Sequence, residues 1–355
     1  MSSQKEIVKQ RLEEKLEREC GPAMMRALRD PAVVEVMLNP DGKLWTDVAG
    51  QGMEYTGHTL APGAAESVLT TCASILQTTI TRDNPILEGE FPLDGSRLEG
   101  LLPPIVRAPV FAIRKKALRV FTLEDYRSRG IIGAALTGSH SACEVAATSR
   151  YKHPVEAIRE AIQLRRNILI VGGTGSGKTT LANAILAEIA VQSPDDRLVA
   201  IEDTMELQVT MPNSVLLRTS EQANMQRLLR ATMRLRPDRI VVGEVRGGEA
   251  LTLLKSWNTG HPGGIATIHA NSAGGGLTRL SQLIYEAPEA RNLSEATIAA
   301  TIKEAVHLVI FIERAPTPAG RSVSEIMQIS DYVDDRFVMR PIEILPSATP
   351  PRSHQ

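Results

Sequence analysis

The 355-residue chain is long enough for about two domains of ordinary size, and its 43% hydrophobic and 23% charged residues exclude collagen-like and low-complexity classes. A net charge of −1 gives no global basic field for nucleic acid, and five Phe, five Tyr and two Trp supply few rings for a base-stacking surface. Three widely spaced cysteines, Cys20, Cys72 and Cys143, offer neither a disulfide framework nor a CxxC metal knuckle, which suits a reducing compartment.

Residues 4–19 alternate charges around Ile7, Val8, Leu12 and Leu16, near one helical stripe. Mixed acids and bases without an aromatic anchor favour a solvated or subunit-packing helix over one lying on a membrane. The charged first 20 residues lack the apolar core of a signal peptide, and no stretch approaches the ~18–20 apolar residues that span a bilayer. A cytoplasmic protein is the expectation. LRDPAVVEVMLNPDGKLWTDVAG reads as helix end, strand, Pro-Asp-Gly turn and strand, MEYTGHTL as a partner strand, and AAESVLTTCASILQTT as a second helix. Short strands and Pro-rich turns over 89–116 complete an N-terminal α+β domain, residues 1–115. Residues 116–154 read as an interdomain linker with one short helix in FTLEDYRSRGI.

From 155 to 345 the grammar is α/β. Helix VEAIREAIQLRR leads to strand NILIV, a glycine loop and a helix with Leu181, Ile185 and Ile189 at i, i+4, i+8. Strands at LVAIE, VLLR, RIVVG, GIATIHA and HLVIFIE alternate with helical patterns at 221–235, 248–258 and 275–286. Such short apolar strands predict a parallel sheet covered on both faces. A hairpin over 314–321 follows, and residues 346–355 read as a disordered tail.

The sharpest motif is VGGTGSGKTT, in which Gly172, Gly177, Lys178 and Thr179 satisfy the full phosphate-loop pattern between an apolar strand and an amphipathic helix. Gly172, Gly173, Thr174, Gly175, Ser176, Gly177, Lys178, Thr179 and Thr180 are the expected nucleotide-binding residues. Glycines let successive N–H groups turn toward phosphate oxygens, and the helix points its positive end there. Lys178 would bridge the β and γ phosphates of ATP, and the Thr179 hydroxyl would bind Mg²⁺. Two acidic sites end later strands: Glu202, Asp203 and Glu206 in IEDTMEL, and Glu244 with Arg246 in GEVR, where Gly243 stands in the place of the usual Mg²⁺-holding Asp. His261 and His269 flank the GIATIHA strand; no cysteine or carboxylate shares their spacing, which excludes a zinc site and leaves either satisfied polar groups beside a glycine turn or a phosphate-sensing role.

GGTGSGKTT, IEDTMEL, MRLRPDRIVVGEVRGGEA and GHPGGIATIHANS stand in the order of the type II/type IV secretion traffic ATPases, which this chain resembles over roughly 25–345. VMLNPDGKLW, GSRLEGLLPP and FAIRK look most like the conjugative-transfer, TrbB-type branch. The resemblance implies a RecA-like C-terminal ATPase domain, a PAS-like N-terminal domain and a homohexameric ring with nucleotide between the domains. It implies ATP-driven domain motion serving pilus assembly or substrate transfer beside inner-membrane partners, with at most peripheral membrane association and no strong direct nucleic-acid binding. Carried over by position, Glu244 is the Walker B acid and Glu202 its rival for positioning the water, either reaching Mg²⁺ through water. His261 and His269 match the His box, and Arg97 and Arg114 match N-terminal arginines that reach the phosphates, with Arg107 a weaker match. Rival readings are a pilus-assembly or type II secretion ATPase, a nucleotide-dependent docking scaffold with little turnover, and a DNA-translocating motor.

Overall fold

The computed structural model describes residues 2–49, 51–116, 120–134, 136, 150–220 and 222–345. The chain divides into two compact units, 1–119 and 120–355.

In the first unit, helix α1 (Ser2–Arg29) bends at Gly21, whose φ of 70° and ψ of 170° leave the helical region just before Pro22. Its buried stripe is Leu16, Cys20 and Met24, whereas Ile7 and Val8 are exposed, so the apolar face lies further along than the first charges suggest. Strands β1 (Val33–Leu38), β2 (Lys43–Val48) and β3 (Gly52–Thr59) precede helix α2 (Pro62–Ile75). Strands β4 (Ile86–Glu90), β5 (Arg97–Leu101) and β6 (Val110–Arg114) complete an antiparallel sheet in the order β3-β2-β1-β6-β5-β4. Val36, Leu38, Leu98, Phe111 and Ile113 share a core with α1 and with Val68, Leu69 and Cys72 of α2. Burial raises both Cys20 (to about 12) and Cys72, so these thiols are packing groups, inert at neutral pH.

The second unit opens with helix α3 (Leu123–Ser128), capped reciprocally by Thr122 and Asp125. Leu123, Tyr126, Ile131 and Ile132 are buried in this unit's core. Residues 120–134, expected within a linker, therefore pack as part of the α/β unit, because they carry apolar side chains that a free linker would expose. Of the other linker positions, 150–154 form a short strand and the start of the next helix, while 117–119, 135 and 137–149, with Cys143, lie outside the described residues, as does the tail 346–355.

Strand β7 (Arg150–Tyr151), helix α4 (Pro154–Gln163), strand β8 (Ile168–Gly172), helix α5 (Lys178–Gln192) and strands β9 (Leu198–Glu202) and β10 (Ser214–Arg218) follow. Helix α6 (Met225–Thr232), strand β11 (Arg239–Val242), helix α7 (Glu249–Asn258), strand β12 (Ile265–His269) and helix α8 (Ala273–Tyr285) come next. Helix α9 (Glu295–Ala305), strands β13 (Leu308–Arg314), β14 (Arg321–Val333), β15 (Arg336–Pro341) and β16 (Glu343–Ile344) complete the described chain. Helix α9, which the sequence patterns did not reveal, is capped by Ser294 and buries Ile298 and Ile302.

The sheet order is β10-β9-β11-β12-β8-β13-β14-β15. Ile168 and Ile170 of β8 join Leu181, Ile185 and Ile189 of α5 in one core, while Leu169 and Val171 join α7, α8 and α9 in the other. Side-chain alternation thus buries both faces. The strands predicted a parallel sheet; the observed sheet is mixed, with β14 and β15 running antiparallel at one edge, because short turns join only antiparallel neighbours.

Asn167 locks the starts of three strands. Its Oδ1 accepts from the N–H groups of Gly263 and Gly264, its Nδ2 donates to Ala305 O, and its own N–H donates to His307 Nδ1 at 3.0 Å. Burial and then Arg166 lower the His307 pKa, and burial and then Arg127 lower that of His153, whose Nδ1 caps α4. With folded values below the ordinary 6.5, the unfolded chain takes up protons first, so this stabilisation is complete above pH 6.5 and is lost as pH falls through the folded values. The thermal midpoint should drop between pH 7.5 and about 5.5, and His307→Gln should flatten part of that drop. A variant profile parallel to the parent's would refute the assignment to His307.

Candidate functional site

Strand β8 is buried along its whole length and releases the chain at Gly172 into the loop 173–177. Gly175 and Gly177 take φ values of 67° and 101°, the left-handed region that glycine enters without steric cost. Gly177 caps α5, so the unbonded N–H groups and positive end of that helix belong to the loop. Lys178 is buried; its Nζ donates to Gly172 O and Gly173 O, each at 3.1 Å. Ser176 Oγ is buried with no hydrogen-bond partner among the described residues. Thr179 and Thr180 follow, half-buried, in the first turn of α5. A donor-rich loop with a folded-back ammonium and an unspent hydroxyl fits a polyphosphate.

The two rival carboxylates differ in what surrounds them. Glu202, last in β9 and only 3% exposed, accepts through Oε1 from the N–H groups of Glu206 at 3.0 Å and Leu207 at 2.9 Å. Asn183 of α5 clamps the same turn, donating to Glu206 O and accepting from Gln208 N. Glu244 follows β11 and stands 3.9 Å from Lys178 Nζ through Oε1. Its Oε2 accepts from Arg246 Nε at 2.7 Å and Nη2 at 2.5 Å. Arg246 Nη1 also lies 3.3 Å from Asp203 Oδ2. Burial opposes the Arg246 charge, but the hydrogen bond and charge of Glu244, then Asp203 and Glu206, carry its pKa above the ordinary value. Glu206, given no role by its position in the sequence, is thus drawn into the acidic surroundings of Arg246.

Gly243 has a steric reason. A Cβ there would sit 2.8 Å from Glu202 Cγ and 3.3 Å from its Oε1. Because Glu202 is held by two backbone N–H groups it cannot swing aside, and Thr267 Oγ1 pins Gly243 O at 2.6 Å.

His269 ends β12 in register with Gly172, and its Nε2 lies 3.1 Å from Thr174 Oγ1. Partial burial lowers its pKa, and the Lys178 charge lowers it further, so it is neutral at pH 7. His261 is placed apart: its Nδ1 lies 2.7 Å from Pro237 O, before β12 begins. The strand separates the two histidines, and only His269 reaches the loop. Arg97 and Arg114 lie in the first unit directly opposite each other on β5 and β6, with Glu90 and Glu35 as their outer neighbours. Arg107 is exposed in the loop between those strands. Two arginines that the sequence did not single out, Arg314 and Arg321, lie against the glycine loop. Their hairpin is legible, but its seat beside β8 follows only from sheet order.

A model of the family described as type II/IV secretion system protein matches residues 114–329. The protein named probable conjugal transfer protein TrbB in Sinorhizobium fredii (strain NBRC 101917 / NGR234) is 49% identical over 327 residues, 92% of this chain and 92% of that one. The type IV secretion system protein VirB11 of Bartonella henselae is 30% identical over 311 residues, 81% of this chain and 86% of that one. The solved ATPase DotB of Legionella pneumophila, 18% identical, matches in fold with a TM-score of 0.58 over 86% of this chain and 79% of its own. The chain therefore belongs to the type II/IV secretion system protein family.

Proposed function

We propose that this protein is the ATP-hydrolysing motor of a conjugative type IV secretion system, a cytoplasmic homohexameric ring that couples turnover to motion of a RecA-like ATPase domain and a PAS-like N-terminal domain. The observation that carries the reading is the placement of Glu244 at the ammonium of Lys178, on a loop built for phosphate. Relatives named as conjugal transfer and type IV secretion proteins supply the setting. Inner-membrane components of that machine are the partners proposed. Among the described residues no helix is long and apolar enough to cross a membrane.

In this reading the loop N–H groups and Lys178 hold the phosphates and offset charge as the terminal bond breaks. Mg²⁺, when bound, supplies further charge neutralisation, with Thr179 as its protein ligand and a carboxylate reaching it through water. No cage of three or more His, Cys, Asp or Glu forms among the described residues. Glu244, steered by Arg246, orients the attacking water; Glu202 shapes the turn beside it. Neutral His269 ties the loop to β12 through Thr174, a path by which the state of the phosphates reaches the sheet. Arg97 and Arg114 of the N-terminal unit are, by their positions in the sequence, the further arginines proposed to support turnover.

The test is ATP turnover per subunit against protein concentration, with Lys178→Ala as the blank. Specific activity should climb and then level as neighbours assemble, and Lys178→Ala should lose at least about a hundredfold. Charge reversal at Arg97 or Arg114 should cut turnover without unfolding the protein. Turnover retained by Lys178→Ala would refute the site.

A further inference from the structure

The last residue of β13 and the first of β14, Arg314 and Arg321, face each other directly across the antiparallel pair. Like charges so opposed destabilise a hairpin unless something offsets them. Among the described residues neither guanidinium makes an ion pair or a hydrogen bond with a carboxylate. Both instead lie on the phosphate loop. A Cβ on Gly175 would collide with the Arg314 guanidinium, and one on Gly177 with that of Arg321, whose Cδ and Cζ are each 3.3 Å from that point. A Cβ on Gly172 would meet the carbonyl oxygen of Ile312, so the hairpin closes over one side of the loop at three of its glycines.

Sheet order gives this placement a direction. Strand β8 lies between β12, which brings His269 and neighbours β11 with Glu244 beyond it, and β13, which brings the arginines. The hydrolytic carboxylate and the histidine therefore approach the loop from one flank, and two positive charges from the other. A guanidinium presents a rigid fork of donors matched to phosphate oxygens.

We infer that Arg314 and Arg321 are nucleotide-binding residues of the same subunit, which hold the diphosphate common to ADP and ATP on the flank away from Glu244. This rests on the reading of the loop as a nucleotide site. The diphosphate relieves the repulsion within the pair, and the pair fixes the nucleotide end that does not react.

Titration calorimetry with ADP, and separately with a non-hydrolysable ATP analogue, tests the inference on the full-length protein, parent against Arg314→Gln, Arg321→Gln and the two lysine variants. Each glutamine variant should weaken both nucleotides by about tenfold or more and by similar factors, and the lysines should recover part of the loss. The nucleotide-free thermal midpoint of the glutamine variants should be equal to or above the parent's, since a repulsion has been removed. That readout also shows that they fold. Affinity for ADP unchanged within twofold would overturn the inference, as would a loss confined to the ATP analogue, which would place the arginines at the γ-phosphate. Lys178→Ala separates the two layers. A parent that binds neither nucleotide refutes the site itself, whereas binding lost in Lys178→Ala but kept in both arginine variants refutes only the role of the hairpin.

Discussion

Glu244→Gln should reduce ATP turnover by on the order of 10²–10⁴-fold, the span lost when a positioned acid–base group is removed, and should leave the thermal midpoint within a few degrees of the parent. The side chain is partly exposed, 21%, and its Arg246 partner can keep a hydrogen bond to the amide oxygen. Glu202→Ala should behave in the opposite way. It strips the acceptor from the Glu206 and Leu207 N–H groups in a buried turn, at a cost of about 2–4 kcal/mol, so the midpoint should fall by roughly 5–10 °C, with activity lost through unfolding of the turn. Steady-state turnover and thermal denaturation on the same preparations distinguish the two carboxylates. If Glu244→Gln stayed active while Glu206→Gln was folded and inactive, the water-positioning group would have to move to the acidic turn after β9.

Gly243→Asp, which restores the residue usual at that place in a Walker B strand, should destabilise the protein rather than improve its metal binding. The new Cβ would enter the space of Glu202 Cγ, and a second carboxylate would be pressed against a buried one. Overpacking of this kind costs about 1–3 kcal/mol, and the unrelieved like charge adds to it. A midpoint lowered by roughly 6–12 °C is the expected result, with Gly243→Ala falling between the variant and the parent. Glu202→Ala in the same chain should recover part of the loss from Gly243→Asp, because it vacates the contested space; losses that simply add would contradict the steric account.

The glycine-rich turn between β8 and α5 was legible because its signals are local. Glycine, lysine and threonine at fixed spacing between a strand and a helix specify a turn, a charge and a helix end, and none of these needs a distant partner. The alternation of β8, β9, β11, β12 and β13 with helices was legible for a similar reason, since uninterrupted apolar runs of strand length mark burial on both faces. Helix α9 was not: EATIAATIKEA has small residues and a Ser cap but its apolar face shows only against α7 and α8.

Residue type and spacing therefore determined by themselves that this chain carries a glycine-rich turn with a lysine at the start of a helix, two acidic strand ends and an α/β unit after a smaller α+β one. Tertiary structure decided which groups share a site. Glu202 and Glu244 are both strand-end acids in the sequence, yet Glu202 is spent on the N–H groups of its own following turn, while the sheet order β11-β12-β8 sets Glu244 at Lys178. His261 and His269 are equal members of one motif, yet the length of β12 puts one at Pro237 and the other at Thr174. Arg314 and Arg321 are plain hairpin residues until the sheet seats β13 beside β8. The reason is common to all three: a local pattern fixes what a residue can do, and long-range strand pairing fixes what it is near.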